Sequence, residues 1–324
     1  MMIRSNDLCF SLGVTILILF GFCFLIGCSG RDQTLSHERL NVAVSVEPHA
    51  FLLERIGGNR LRIEVLVPAG REPEHYQTTP DKVAALSKAK VLFRTGMPFE
   101  EMLIPKLKSN ANNLKIVDLR NRITLRSLEL HDHHSHANGN IHVHNDNIPL
   151  HNNNIPLHNE SDPHIWFAPT ILKTEVQTVL QTLSEIDPAG AAQYQKNAEQ
   201  FLEEIEELRI DLVKRLAPFK AKTVFVFHPA YGYFCDEFGL RQRAVEFEGK
   251  SPKPQQLTAL IKEIRHTEDI PVIFVQPEFN QAPTQAITET TGIKMIIHSP
   301  LERNVLQSMK RFAEEIILSK PNSF

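Results

Sequence analysis

AGAAQYQKNAEQFLEEIEELRIDLVKRL, residues 189–216, is the stretch around which the fold is organised. Phe201, Ile205, Leu208, Leu212 and Leu216 recur at spacings of three and four, so they share one face of a helix. Glu203, Glu204, Glu206 and Glu207 fall mostly on the other face. Asp187-Pro188 separates this helix from another predicted over Thr170–Ile186. Working outward, short apolar runs alternate with helical spacings on both sides. Upstream, strands are predicted at Asn41–Val46, Leu61–Val67, Val91–Phe93 and Ile116–Val117, with helices at Phe51–Ile56 and Asp81–Lys88. Downstream, strands are predicted at Thr223–Phe227, Val272–Val275 and Lys294–Ile297, with helices at Pro254–Ile264, Ala282–Thr291 and Leu306–Leu318. Such alternation argues for parallel sheets covered on both faces. The expected class is α/β, with two lobes and a long helix between them.

Length agrees, since 324 residues is about twice a typical domain. A net charge of −3 excludes a strongly basic polyanion binder, so nucleic acid is not an expected partner. Histidine is out of line. Eight of the 15 histidines crowd into one tract: His131, His133, His134, His136, His142, His144, His151 and His158. Within it, His144-Asn-Asp-Asn-Ile-Pro-Leu150 is repeated as His151-Asn-Asn-Asn-Ile-Pro-Leu157. The period of seven suggests a coiled coil, but Pro149, Pro156 and the many Asn forbid one. The tract reads as a mobile loop expanded by duplication, suited to weak, exchangeable metal capture or to serving as a solvated spacer.

The N-terminus has a charged head at Arg4 and an apolar run from Leu8 to Ile26, ending in Leu25-Ile-Gly-Cys28. This is the form of a secretory signal. The last four residues resemble a bacterial lipobox, which implies cleavage before Cys28 and lipidation of its thiol. An uncleaved transmembrane anchor is the alternative, and both place the rest of the chain outside the cytoplasm. After cleavage Cys235 has no partner, so the fold is expected to stand without a disulfide. The boundaries read as signal peptide 1–27, tether 28–40, N-terminal lobe 41–187 with the His-rich loop at 128–161, linking helix 188–217 and C-terminal lobe 218–324.

Neutral imidazole is the commonest protein ligand for zinc, and a usable site needs donors held in place. Three histidines outside the tract have such settings. His164 sits in Asp162-Pro-His-Ile-Trp166, His228 closes the apolar strand Val224–Phe227, and His75 follows the strand that ends at Pro68-Ala-Gly70. Residues at the carboxyl ends of parallel strands face the crevice where such sheets bind ligands. His37, His49 and His266 look like ordinary tether, helix-start and surface residues, and His298 is left open. No Ser-His-Asp order, phosphate loop, HExxH or CxxC pair is present, which leaves an enzyme reading little support.

Taken together, DPHIW at 162–166, FHPAYGYF at 227–234 with FGL at 238–240, TGMPFE at 95–100, VLVPAG at 65–70 and EGKSP at 248–252 resemble a known family. It is that of the zinc/manganese solute-binding lipoproteins of bacterial ABC importers. The resemblance runs over roughly residues 41–318. It implies two parallel-sheet lobes joined by one long rigid helix, with a metal ion in the central cleft. It also implies a monomer, anchored to a membrane by lipid, that hands Zn²⁺ or, less expectedly, Mn²⁺ to an ABC permease.

Carried over residue by residue, the resemblance makes His164 and His228 ligands. The family's first ligand lies six residues before a proline, which from Pro80 lands on Glu74, one short of His75. Both stay open, with His75 preferred. The family's fourth, acidic ligand lies in a pattern like Asp-Pro-Leu, here Ser299-Pro300-Leu301. Its Glu-Pro-Gln-Phe pattern reads Gln276-Pro277-Glu278-Phe279, leaving Glu278 and His298 as auxiliary donors. Few carboxylates and several imidazoles tilt selectivity towards zinc. Because the imidazoles must be neutral to bind, affinity is expected to fall below about pH 6.5. Two rivals remain: a metal-storage or adhesin lipoprotein in which the tract does the work, and a zinc hydrolase with Glu74 as base.

Overall fold

The computed structural model describes residues 39–110, 113–127, 161–246, 252–266 and 270–319. The expected signal peptide, Cys28 and all eight tract histidines lie outside these residues. Among the described residues no helix is long and apolar enough to cross a membrane.

The N-terminal lobe is built on β1 (Leu40–Val44), β2 (Leu61–Val65), β3 (Val91–Arg94) and β4 (Lys115–Asp118). They form one parallel sheet in the order β2-β1-β3-β4. Its crossovers carry α1 (Glu47–Gly57), α2 (Pro80–Leu86) and α3 (Pro98–Asn110). Two helices follow, α4 (Pro169–Ile186) and the long α5 (Ala191–Leu216). The C-terminal lobe repeats the plan with β5 (Thr223–Val226), β6 (Arg241–Ala244), β7 (Val272–Val275) and β8 (Lys294–Ile297), in the order β6-β5-β7-β8. All its pairings are parallel. Its helices are α6 (Gly232–Phe238), α7 (Pro254–His266), α8 (Ala282–Thr291) and α9 (Val305–Leu318).

Local chemistry explains the punctuation. α2, α3, α4 and α7 each begin at a proline, whose missing N–H is no loss in a first turn. α6 and α8 end at Gly239 and Gly292, both in the left-handed region at φ of 71° and 78°. All four residues of β7 are buried, as a central parallel strand covered on both faces requires. β6, by contrast, carries Arg241 and Arg243 and sits at a sheet edge, so its sequence has no apolar run to announce it. With α3 and the short α6, it is an element that the hydrophobic pattern does not predict.

α5 buries Tyr194, Ala198, Phe201, Ile205, Leu212 and Leu216, while Leu208 is half-buried. It packs against α4 and α1 on the N-terminal side and against α9, which follows the last strand of the C-terminal sheet. One helix face is thus shared between the two lobes.

The TGMPFE segment acts as a plug at the carboxyl ends of β1 and β3. The buried Glu100 carboxylate accepts the backbone N–H groups of Thr95 (3.0 Å), Gly96 (2.7 Å) and Met97 (3.1 Å), and the Ser45 hydroxyl. Gly96 has φ of +94°, and a β-carbon there would lie 2.2 Å from the Arg120 guanidinium, so only glycine suits the turn.

Candidate metal centre

His228 stands two residues beyond β5, where the strand has run out of sheet partners. Gln276, just past β7, clamps its backbone: Oε1 accepts the His228 N–H at 3.2 Å and Nε2 donates to its carbonyl at 2.9 Å. Phe279 stacks on the ring with centroids 4.9 Å apart and planes 19° apart. Nδ1 faces Glu246 at 2.7 Å, which leaves Nε2 to point into the cleft.

His164 is held in the same manner by other residues. Asp162 Oδ1 accepts both its backbone N–H at 2.9 Å and its Nδ1 at 2.7 Å. Asp162 is itself fixed by Arg126 Nη1 at 3.2 Å and by its own N–H donating to the Arg126 carbonyl at 2.9 Å. Trp166 packs edge-on against the ring at 5.4 Å and donates Nε1–H to the Pro300 carbonyl at 2.9 Å. The proline in Asp162-Pro-His164 therefore sits in a tight local brace between a ring and the carboxylate that orients it.

The two rings meet at Glu74, in the loop after β2. Its Oε1 lies 2.9 Å from His164 Nε2 and 3.0 Å from His228 Nε2, and the two nitrogens are 3.1 Å apart. Among the described residues these three form the group of His, Cys, Asp and Glu side chains whose ligand atoms all lie within 4.8 Å of one another. The triangle is close to equilateral. Tetrahedral zinc with bonds of about 2.0–2.1 Å sets its donors about 3.3 Å apart, so a few tenths of an ångström of spreading admits the ion. The cavity beside them also takes in Pro73, Gln276, Glu278 and Leu301.

Burial alone would raise Glu74 and lower both histidines. The mutual charges reverse this. His228 and His164 hold the Glu74 carboxyl well below its usual range. Asp162 and then Glu74 raise the His164 imidazole, while Glu74 and Glu246 push His228 well up.

Of the sequence candidates, the fold brings together Glu74, His164 and His228. It does not bring the preferred His75 to the same point. That side chain is 66% exposed and turns away to Glu72, with Nδ1 2.5 Å from Oε1. Glu74 and His75 are the central pair of a turn closed by the Tyr76 N–H on the Pro73 carbonyl at 3.3 Å, and of the two it is Glu74 that reaches the histidines. Glu278 lines the cavity. His298, the other auxiliary candidate, does not. Its Nε2 lies 3.0 Å from the Ser308 carbonyl and its Nδ1 3.1 Å from the Tyr231 hydroxyl, among Phe167, Phe274 and Phe312. Burial there lowers it to about 4. His49 is a core residue of α1, fully buried with Nε2 3.1 Å from Glu175. Sequence reasoning assigned no part to Asp162, Glu246, Gln276 or Phe279. Asp162 was findable, two residues before a candidate ligand. Glu246 was not, since 18 residues and a strand crossing separate it from His228.

Two imidazoles fixed at Nδ1 by carboxylates, with Nε2 atoms converging on a third donor, are the arrangement of metal-binding histidines. The family profile described as zinc-uptake complex component A, periplasmic (ZnuA), matches residues 42–316. The chain belongs to this family. Among ZnuA-family relatives, the high-affinity zinc uptake system protein ZnuA of Yersinia pestis is 27% identical over 268 residues, covering 82% of this chain and 84% of the relative. The manganese-binding lipoprotein MntA of Halalkalibacterium halodurans is 25% identical over 297 residues, covering 89% and 87%. A crystal structure of ZnuA superposes with a TM-score of 0.75 at 29% identity, covering 88% of this chain and all of that one. The two-lobed α/β architecture is thus that of the ZnuA family.

Proposed function

We propose that this protein captures one Zn²⁺ outside the cytoplasm and delivers it to an ABC permease. The ion is bound by Glu74 Oε1, His164 Nε2 and His228 Nε2, between the lobes. One observation carries the reading: three donor atoms from three separate loops stand 2.9–3.1 Å apart, with both histidines oriented from behind by Asp162 and Glu246. Two imidazoles and one carboxylate favour zinc, whereas manganese prefers sites richer in oxygen. The relatives named above bind zinc in one case and manganese in the other, so the metal is assigned by donor chemistry. Export follows from the N-terminal segment and Cys28, with lipid at that thiol tethering the chain to the membrane. The role is carriage of an ion, with no turnover.

Equilibrium dialysis of purified full chain with Zn²⁺ tests the site. Wild type binds one ion tightly. The His164→Ala, His228→Ala double variant and Glu74→Ala lose the tight ion, while His75→Ala keeps it. One tight zinc retained in the double variant, or lost in His75→Ala, overturns the assignment.

A further inference from the structure

Glu278 stands in the loop after β7 that also carries Gln276 and Phe279, and lines the same cavity as Glu74, His164 and His228. Its Oε1 accepts the Ser299 hydroxyl at 2.8 Å. Ser299 is anchored in turn, its Oγ accepting the Leu301 N–H at 3.2 Å and its carbonyl accepting the Ser308 hydroxyl at 2.9 Å. Glu278 Oε2 is buried with no hydrogen-bond partner, and so is Glu74 Oε2. An unpaired carboxylate oxygen out of water is costly, and two lining one cavity repel each other, unless a cation or a donor is what they face.

Glu278 is outside the group of three whose ligand atoms lie within 4.8 Å of one another, so it is not placed as an inner ligand. A metal–water bond of about 2.0–2.2 Å followed by a hydrogen bond of about 2.7 Å lets a carboxylate act on an ion without binding it. The cavity has a free volume of about 10 Å³, room for about one water-sized body. We infer that Glu278 completes the cation's surroundings by accepting a hydrogen bond from a water held as the ion's fourth ligand. Glu74 and Glu278 then set two negative charges against one dication. The inference rests on the zinc-binding reading above and assigns one residue's part in it.

The test is a Zn²⁺ titration of the full chain against a chromophoric chelator, for wild type, Glu278→Gln and Ser299→Ala, with Co²⁺ absorption on each. In Glu278→Gln the amide presents N–H where the water needs an acceptor. Zinc affinity should fall about ten- to a hundred-fold, the usual effect of losing an outer partner. Stoichiometry should stay at one ion, and the Co²⁺ d–d bands should keep their wild-type pattern because the inner donors are unchanged. Ser299→Ala, which frees Glu278 Oε1 and takes the acceptor from the Leu301 N–H, should lose affinity in the same direction by less, and it carries the test should Glu278→Gln fail to fold. Wild-type affinity in Glu278→Gln, or altered d–d bands marking Glu278 as an inner ligand, overturns the inference and leaves the capture reading intact. A wild-type chain that binds no zinc overturns the capture reading itself.

Discussion

The His164 and His228 imidazoles are both shifted above the ordinary histidine value, because each lies between two carboxylates that outweigh the effect of burial. Zinc must displace their protons. The fall in affinity with acidification should therefore set in above the ordinary histidine value of about 6.5, and binding should release protons at neutral pH. Calorimetric titrations in buffers of different ionisation enthalpy measure that release. An onset at or below 6.5 with no proton release would contradict the geometry. His298 behaves in the opposite sense. Burial lowers it to about 4, so between pH 6.5 and 4 the unfolded chain takes up a proton that the native chain refuses. Stability falls as pH drops through that window, by about 3 kcal/mol in total. Urea midpoints of wild type should decline across that range more steeply than those of His298→Gln.

At the scale of elements, α5 holds the lobes through one face only. Phe201 is fully buried on that face, packing edge-on against Phe51 at 5.8 Å, while Ile210 is 58% exposed on the other. Phe201→Ala should cost about 3–5 kcal/mol in chemical denaturation. Ile210→Ala should shift stability by about 0.5 kcal/mol or less. Comparable losses from both would mean that the helix is not anchored by the stripe that defines it. The crossover loops matter as much as the helix. Each sheet delivers site residues only from its carboxyl ends, where the strands stop pairing and the backbone needs side-chain clamps such as Gln276 on His228.

For the whole molecule, the prediction is that tight binding in the cleft does not need the His-rich segment. Ser127 pairs with Ser161, and the Asp162 N–H reaches the Arg126 carbonyl at 2.9 Å, so the described residues on either side of 128–160 already meet. Replacing 128–160 by a short glycine link should leave one tight zinc per chain in equilibrium dialysis. Loss of tight binding would favour the storage reading, in which the tract does the work. Binding to the folded state alone also stabilises it, by about 2.7 kcal/mol at free zinc a hundredfold above Kd. Thermal unfolding with zinc and then with excess chelator should show that gain and its removal.

The sequence by itself determined what local periodicity and strand-end position can encode. The alternation of apolar runs and helical stripes was enough for two α/β lobes and for α5 to within a turn, and Asp162-Pro-His164 and the Phe227-His228 strand end marked two of the three side chains that converge. It could not choose between Glu74 and His75. Adjacent residues on a loop differ only in the direction their side chains take, and that direction is set by loop packing rather than by composition. Nor could it find Glu246 behind His228, or tell Glu278 in the cleft from His298 in the aromatic core. Those assignments depend on which strand ends the parallel crossovers bring together, a long-range outcome of packing the two lobes on one helix. Tertiary structure alone turned a chain crowded with histidines into one with two that converge.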